Sequence, residues 1–259
     1  MGASVNESSH TDRPIPRDTR RTPTTYDYDS IPVGYYDAVF KRGRGAQSKW
    51  HHLKFARFQR EMTGARRHLD IACGPGTFIG SLDAAHHSVG IDIAEPQIAY
   101  AKERYGGHGR DFQRVDSGPL PFGDSSFDVV TIIELIEHLP PRENVALIWE
   151  SLRVLAPDGT LLVSTPNYGG FWPVVEAMIA RFGGLSYAEQ HITHYDRASL
   201  VHLLEEAGGT DVVVRAHMGL APFVAPIGWR LADFVSSLEA DRLVNLYGLL
   251  LFAKVRKAR

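Results

Sequence analysis

The stretch His68-Leu69-Asp70-Ile71-Ala72-Cys73-Gly74-Pro75-Gly76-Thr77-Phe78 reads as a short buried strand, a glycine turn and the start of a helix. A helix start presents unpaired backbone N–H groups, and glycine lets a ligand come close to the main chain. Asp70 is the odd residue in an apolar strand. A buried carboxylate is costly unless a cation or a hydrogen-bond donor meets it. A ligand carrying an ammonium group meets that need, whereas a phosphate is repelled. A dinucleotide fingerprint asks for G-x-G-x-x-G with a pyrophosphate on the helix end. Gly74 and Gly76 supply G-x-G, but Ile79 holds the third position and Gly80 comes one residue late. The missing third glycine and Asp70 both speak against a nicotinamide dehydrogenase.

Outward from this stretch, strand and helix patterns alternate. Strands are expected at 68–72, 88–92, 112–115, 127–133, 160–164, 211–216 and 247–254. Helices are expected from Thr77, from Glu95-Pro96, over 141–155 with Val145, Ile148, Leu152 and Leu155 inward, and over 197–207 capped by Asp196. Ala156-Pro157-Asp158-Gly159 reads as the exit turn of the third of these. The alternation predicts an α/β fold on a parallel sheet with right-handed crossovers. Asp92 ends the second strand 18 residues past Gly74, the spacing at which an acid meets ribose hydroxyls.

The pattern D-x-x-C-G-x-G over 70–76, followed by Gly90-Ile91-Asp92, resembles the first motifs of the class I S-adenosylmethionine (SAM) methyltransferases. Residues 153–167, RVLAPDGTLLVSTPN, resemble the fifth-strand motif of the quinone-biosynthesis O-methyltransferases, and 119–126 resemble the loop before their fourth strand. The resemblance implies a Rossmann-like, seven-stranded, mostly parallel sheet. Its last strand is antiparallel between the fifth and sixth, and helices cover both faces. It also implies SAM as cofactor, held by Asp70, Ala72, Gly74, Gly76, Asp92, Ile93, Asp116, Ser117 and Ile133. Ile93 would pack on the adenine and Asp116 accept from its amino group. The plainer reading of Asp116 is a turn residue.

A second constellation follows the fourth strand. If 134–138 begin a helix, Glu134, Glu137 and His138 share one face, in the cleft where open α/β sheets bind ligands. Two close carboxylates want a cation or a shared proton. The pattern E-x-x-E-H resembles the metal-dependent small-RNA 2′-O-methyltransferases. Counting back from Tyr195-Asp196, His191 falls where their downstream histidine lies, ahead of His194. That resemblance implies Mg²⁺ or Mn²⁺ on Glu134, Glu137, His138 and His191. Without a metal, the carboxylates serve as helix-start caps and His138 or His191 is the candidate general base, with Glu134 beside them.

The remaining segments set the organisation. Residues 1–30 are polar, with Pro14, Pro16 and Pro23, and are expected as a disordered tail that is neither signal nor transit peptide. Residues 31–66 are expected as a basic lid, with a helix from Gln47 to Met62. Between Lys41 and His68 stand nine Lys/Arg against Glu61 alone, although the whole chain carries −2. Such a run is either a solvated helix face or an attractor for an anionic acceptor or membrane surface. Tyr35, Tyr36 and Trp50 are candidates to cover the cofactor. Residues 67–259 form the SAM-binding domain with insertions at 168–196 and 217–243. The first insertion, with Phe171, Trp172, Met178, Phe182 and Tyr187, is expected to shape the acceptor pocket. The second carries Leu231, Phe234, Val235 and Leu238 at helical spacing, with Arg230 and Arg242 near. It is a lid, a homodimer face or a peripheral membrane contact.

With 259 residues and 44% hydrophobic content, the chain suits one sizeable domain with additions. Cys73, the single cysteine, is a small buried turn residue that permits no internal disulfide, which fits a cytoplasmic protein. The longest apolar run, 243–255, is too short to span a bilayer. The expected function is SAM-dependent O-methylation of a small acceptor, sugar or quinone-like, lipid- or nucleotide-linked. RNA 2′-O-methylation and non-catalytic SAM binding are the alternatives. The acidic remainder and the lack of an RNA module disfavour nucleic acid.

Overall fold

The computed structural model describes residues 32–83, 86–182, 190–239 and 241–257. The expected tail and Tyr187 lie outside them. Two helices, α1 (Tyr35–Lys41) and α2 (Ala46–Glu61), precede the sheet. β1 (Arg67–Ile71), α3 (Thr77–Gly80), β2 (His87–Asp92), α4 (Glu95–Tyr105) and β3 (Arg110–Arg114) form one half. β4 (Phe127–Ile133), α5 (Pro141–Val154) and β5 (Leu155–Pro166) open the other. α6 (Trp172–Phe182), α7 (Arg197–Glu206), β6 (Gly209–His217), α8 (Ala221–Val224), α9 (Trp229–Leu238), α10 (Asp241–Tyr247) and β7 (Leu250–Lys257) complete it. Among the described residues the sheet has seven strands in the order β3-β2-β1-β4-β5-β7-β6. β7 runs antiparallel between β5 and β6, and the other pairings are parallel.

β4 shows why the sheet lies in the middle. Its nearly unbroken apolar run buries side chains in both directions, as a strand covered on two faces must. Val130 and Ile132 join the core under α5 and α7, with Ile148, Leu152, Leu200 and Leu204. Val129 joins Phe55 and Phe58 of α2, with Met62 just past its end, on the opposite face. α2, expected as a lid, therefore packs as part of the core layer. Asp196 caps α7 with a capping box closed by Ser199.

Three expectations are corrected, and the placement of α9 is added to them. The exit turn after α5 does not leave the sheet: Leu155 already pairs with Phe127, and 156–159 form a bulge before Val129 meets Thr160. Residues 134–138 do not start an α-helix. Glu134 turns out of the strand at φ 52°, and a single 3₁₀ turn, Ile136–His138, follows. Pro140 holds Leu139 extended, so no further turn can form. The basic run is not a solvated face throughout, because Lys49 and Lys54 are buried. Finally, α9 docks through Ala232 and Trp229, with Lys49 over the Trp229 ring and paired to Asp233. Leu231, Phe234 and Leu238 consequently stay exposed.

Candidate active site

The carboxyl ends of β1, β4 and β5 open into one cavity of about 510 Å³, within the range of small-molecule pockets. α2 roofs it with Tyr36 of α1, while α6 and α8 close its side. Asp70, Ala72, Cys73, Gly74, Thr77, Asp92 and Ala94 line one end. Ile133, Glu134, Glu137, His138, Pro166 and His191 line the other, with Trp172, Val175, Ile179, Pro222 and Phe223.

At the glycine end the two glycines have different tasks. Both are left-handed, Gly74 at φ 52° and Gly76 at φ 72°. A Cβ on Gly76 would stand 2.7 Å from the Phe112 ring and 2.9 Å from Ala101. A Cβ on Gly74 would meet no atom within 4 Å. Gly76 is thus a packing glycine, and Gly74 bares its backbone to the cavity. Asp92 ties the turn to the next strand, accepting from Gly74 N at 2.8 Å and Ala94 N at 2.9 Å. Each oxygen keeps a lone pair for a further donor. Burial raises its pKa against the Ala94, Gly74 and Ile93 backbone groups, which lower it.

Asp70 is buried at the end of β1. Burial, helped by the charge of Asp92, pushes its pKa to about 7. Thr131 Oγ1 donates to Asp70 Oδ1 at 2.6 Å. Thr131 in turn lies 2.9 Å from His68 Nε2, and His68 Nδ1 lies 3.1 Å from Ser88 Oγ. Burial drops the His68 pKa to about 3, so this imidazole is neutral. Nε2–H donates to Thr131, and Nδ1 accepts from Ser88. Thr77 Oγ1 is buried without a hydrogen-bond partner. These groups could hold a zwitterionic amino acid joined to a ribose, with Asp70 available to an ammonium, Thr77 Oγ1 and the Gly74 backbone to other polar atoms, and Asp92 to a diol.

Of the other expected cofactor residues, Ala72 and Ile133 line the cavity. Ile93 follows Asp92 and is partly exposed. Asp116 and Ser117 are exposed, and Asp116 pairs with Arg114. Neither they nor Gly76 line the cavity.

At the far end, one donor atom each from Glu137, His138 and His191 lie within 4.8 Å of one another. Glu137 is buried and accepts from Thr165 Oγ1 at 2.9 Å. Burial, with the neighbouring Glu134 charge, raises its pKa to about 8. His138 Nδ1 donates to the Gln190 carbonyl at 2.9 Å, and burial lowers its pKa to about 4. His191 Nδ1 donates to Glu176 Oε1 at 2.7 Å, and burial lowers its pKa against the pull of that carboxylate. Both imidazoles therefore keep Nε2 as the acceptor nitrogen. Glu134, expected in the same set, is not in it. Its left-handed turn carries it to α2, where Trp50 Nε1 donates to Oε1 at 3.0 Å and the buried Lys54 ammonium pairs with Oε2.

Sequence reasoning missed Lys54, Thr131, Tyr168 and Glu176. Lys54 was one of nine basic residues and nothing local marked it. Glu176 sits on α6, in a segment whose pattern is dominated by its apolar residues. Lys54→Met is expected to loosen α2 and cost about 1–3 kcal/mol in a denaturant titration. That is less than for a wholly buried pair, because the Glu134 side chain stays 23% exposed.

A family model described as a methyltransferase domain matches residues 69–163. The chain is 31% identical over 170 residues to a protein of Mycolicibacterium smegmatis described as a probable S-adenosylmethionine-dependent methyltransferase. That match takes in 64% of this chain and spans 61% of the relative. It is 34% identical over 174 residues to a demethylmenaquinone methyltransferase of Beutenbergia cavernae, covering 59% of this chain and 70% of the relative. Its fold is that of a SAM-dependent methyltransferase from Archaeoglobus fulgidus, with TM-score 0.57 at 19% identity over 86% of this chain and 100% of that one. The methyltransferase-domain match and the coverage of these relatives settle the family: the chain belongs to the SAM-dependent methyltransferases, related to those of the demethylmenaquinone type.

Proposed function

We propose that this chain transfers the methyl group of SAM to a hydroxyl oxygen of a small apolar acceptor. One observation carries the reading: a single cavity joins the Asp70–Gly74–Asp92 end to the Glu137–His138–His191 cluster. The acceptor oxygen attacks the methyl carbon in line, the S–CH₃ bond breaks, and the sulfur keeps the electron pair. The products are a methyl ether and S-adenosylhomocysteine. With no ion on the cluster, the hydroxyl proton passes to Nε2 of His138 or His191, both neutral imidazoles. Positioning of the two reactants supplies most of the acceleration.

The walls of the far end support an apolar acceptor, with Trp172, Val175, Ile179, Pro222 and Phe223 around it. Lys54 is the one Lys or Arg among the described lining residues, and Glu134 already neutralises it. This speaks for a phenol- or quinol-like hydroxyl over an anionic one. Methyl-labelled SAM offered with a panel of phenols, quinols, nucleotide-linked sugars and RNA tests it. Label in the phenol or quinol ethers is expected. Label confined to RNA or to charged sugars overturns the proposal.

Asp70 gives the reading a pH dependence. Its folded-state pKa of about 7 means that it is mostly protonated at pH 6 and mostly ionised at pH 8. Only the ionised form meets an ammonium. The affinity for S-adenosylhomocysteine is therefore expected to rise from pH 6 to pH 8, with a proton released on binding below pH 7. Titration calorimetry in buffers of different ionisation enthalpy measures that proton. The sign for stability is opposite. The raised pKa lets the ligand-free fold hold a proton that the unfolded chain loses above about 3.8. The stability contributed by Asp70 thus falls as pH rises to about 7, then levels.

A further inference from the structure

The far cluster has the construction of a metal centre, with a donor set different from the one its motif suggests. Ligating histidines characteristically donate their second ring nitrogen to a carbonyl or a carboxylate, which fixes the tautomer and the ring. Both histidines here do so independently, His138 to the Gln190 carbonyl and His191 to Glu176. Glu176 is itself buried and held by the Tyr168 hydroxyl at 2.9 Å. The Glu137 carboxylate is fixed by Thr165. The second carboxylate is withdrawn from the cluster by Lys54 and Trp50. What remains is two imidazoles and one carboxylate. That set favours Zn²⁺ and its neighbours over Mg²⁺, which prefers oxygen donors. Three protein ligands on a cavity wall leave a coordination position open to that cavity.

We infer that Glu137, His138 and His191 bind a divalent ion of the Zn²⁺ or Co²⁺ class. Glu176 is the outer carboxylate that positions His191, and Lys54 is the cation that keeps Glu134 out of the set. The inference rests on reading this end of the cavity as the acceptor end, and its test reads binding, not turnover.

Untagged full-length protein, stripped with a chelator, is titrated with Zn²⁺, Co²⁺ and Mg²⁺ by calorimetry. The visible absorption of the Co²⁺ form is recorded, and S-adenosylhomocysteine binding is measured on the same samples. One Zn²⁺ per chain, a visible Co²⁺ band and no heat from Mg²⁺ are expected. His138→Ala and His191→Ala should abolish the band, Glu176→Gln should weaken Zn²⁺ binding about 10- to 100-fold, and Glu134→Gln should leave it unchanged. Retained S-adenosylhomocysteine binding certifies each variant as folded, and the wild-type spectrum decides the matter even if a variant fails that check. The inference is overturned by a wild-type chain without the Co²⁺ band, or by an Mg²⁺ preference that Glu134→Gln removes. Failure of the wild type to bind S-adenosylhomocysteine would instead overturn the methyl-transfer reading and leave the ion result standing.

Discussion

Asp92→Ala is expected to weaken S-adenosylhomocysteine binding by about 100-fold while leaving a folded chain. Hydrogen bonds to a charged group contribute about 1.5–3 kcal/mol each, and a ribose diol offers two, so a loss near 2.7 kcal/mol is a conservative expectation. The same carboxylate holds Gly74 N and Ala94 N, so its removal also loosens the turn that faces the ligand. Both groups lie at the cavity wall, where water can replace the lost acceptor, and the core clusters contain no atom of Asp92. Equilibrium binding at pH 8 reads the loss, and a cooperative unfolding transition with only a slightly lowered midpoint shows that the fold survives. An Asp92→Ala chain that binds as tightly as wild type would remove the diol from this position.

Gly76→Val is expected to do the reverse, damaging the fold itself. The new Cβ would enter a space already filled by the Phe112 ring at 2.7 Å and Ala101 at 2.9 Å. Overpacking of this kind costs about 1–3 kcal/mol, and a β-branched residue forced to φ 72° adds about 1–2 kcal/mol. A loss of about 3 kcal/mol should appear as a lower denaturant midpoint at unchanged slope. Gly74→Ala is the control. It meets nothing within 4 Å, so it carries only the backbone cost and places its methyl group where the ligand approaches. Gly74→Ala should keep most stability and lose binding, whereas Gly76→Val should lose stability first.

The parallel core was legible because its cause is local. Apolar runs of strand length, proline at helix starts and glycine at turns recur in the expected order, and Asp196 caps α7 with Ser199. Boundaries shift where tertiary pairing overrides local signals: Leu155 has the spacing of a helix end and opens β5. Glu134 failed for a comparable reason. Helical spacing assigns it to the face of Glu137 and His138, but its left-handed backbone and the Lys54 ammonium, 80 residues away in sequence, take it elsewhere. No pattern within a few residues carries that information. His191 was legible through its place before Tyr195-Asp196. Its partner Glu176 was not, because a carboxylate on an apolar helix shows its use only when the helix folds over the cluster.

Titration of the wild-type chain with S-adenosylhomocysteine and, separately, with NAD⁺ tests most directly whether Asp70 and the bare Gly74 backbone face an ammonium-bearing amino acid joined to adenosine. One equivalent of S-adenosylhomocysteine should bind, more tightly at pH 8 than at pH 6, and NAD⁺ should give no signal. Binding of NAD⁺ with no response to S-adenosylhomocysteine would contradict the account at its root.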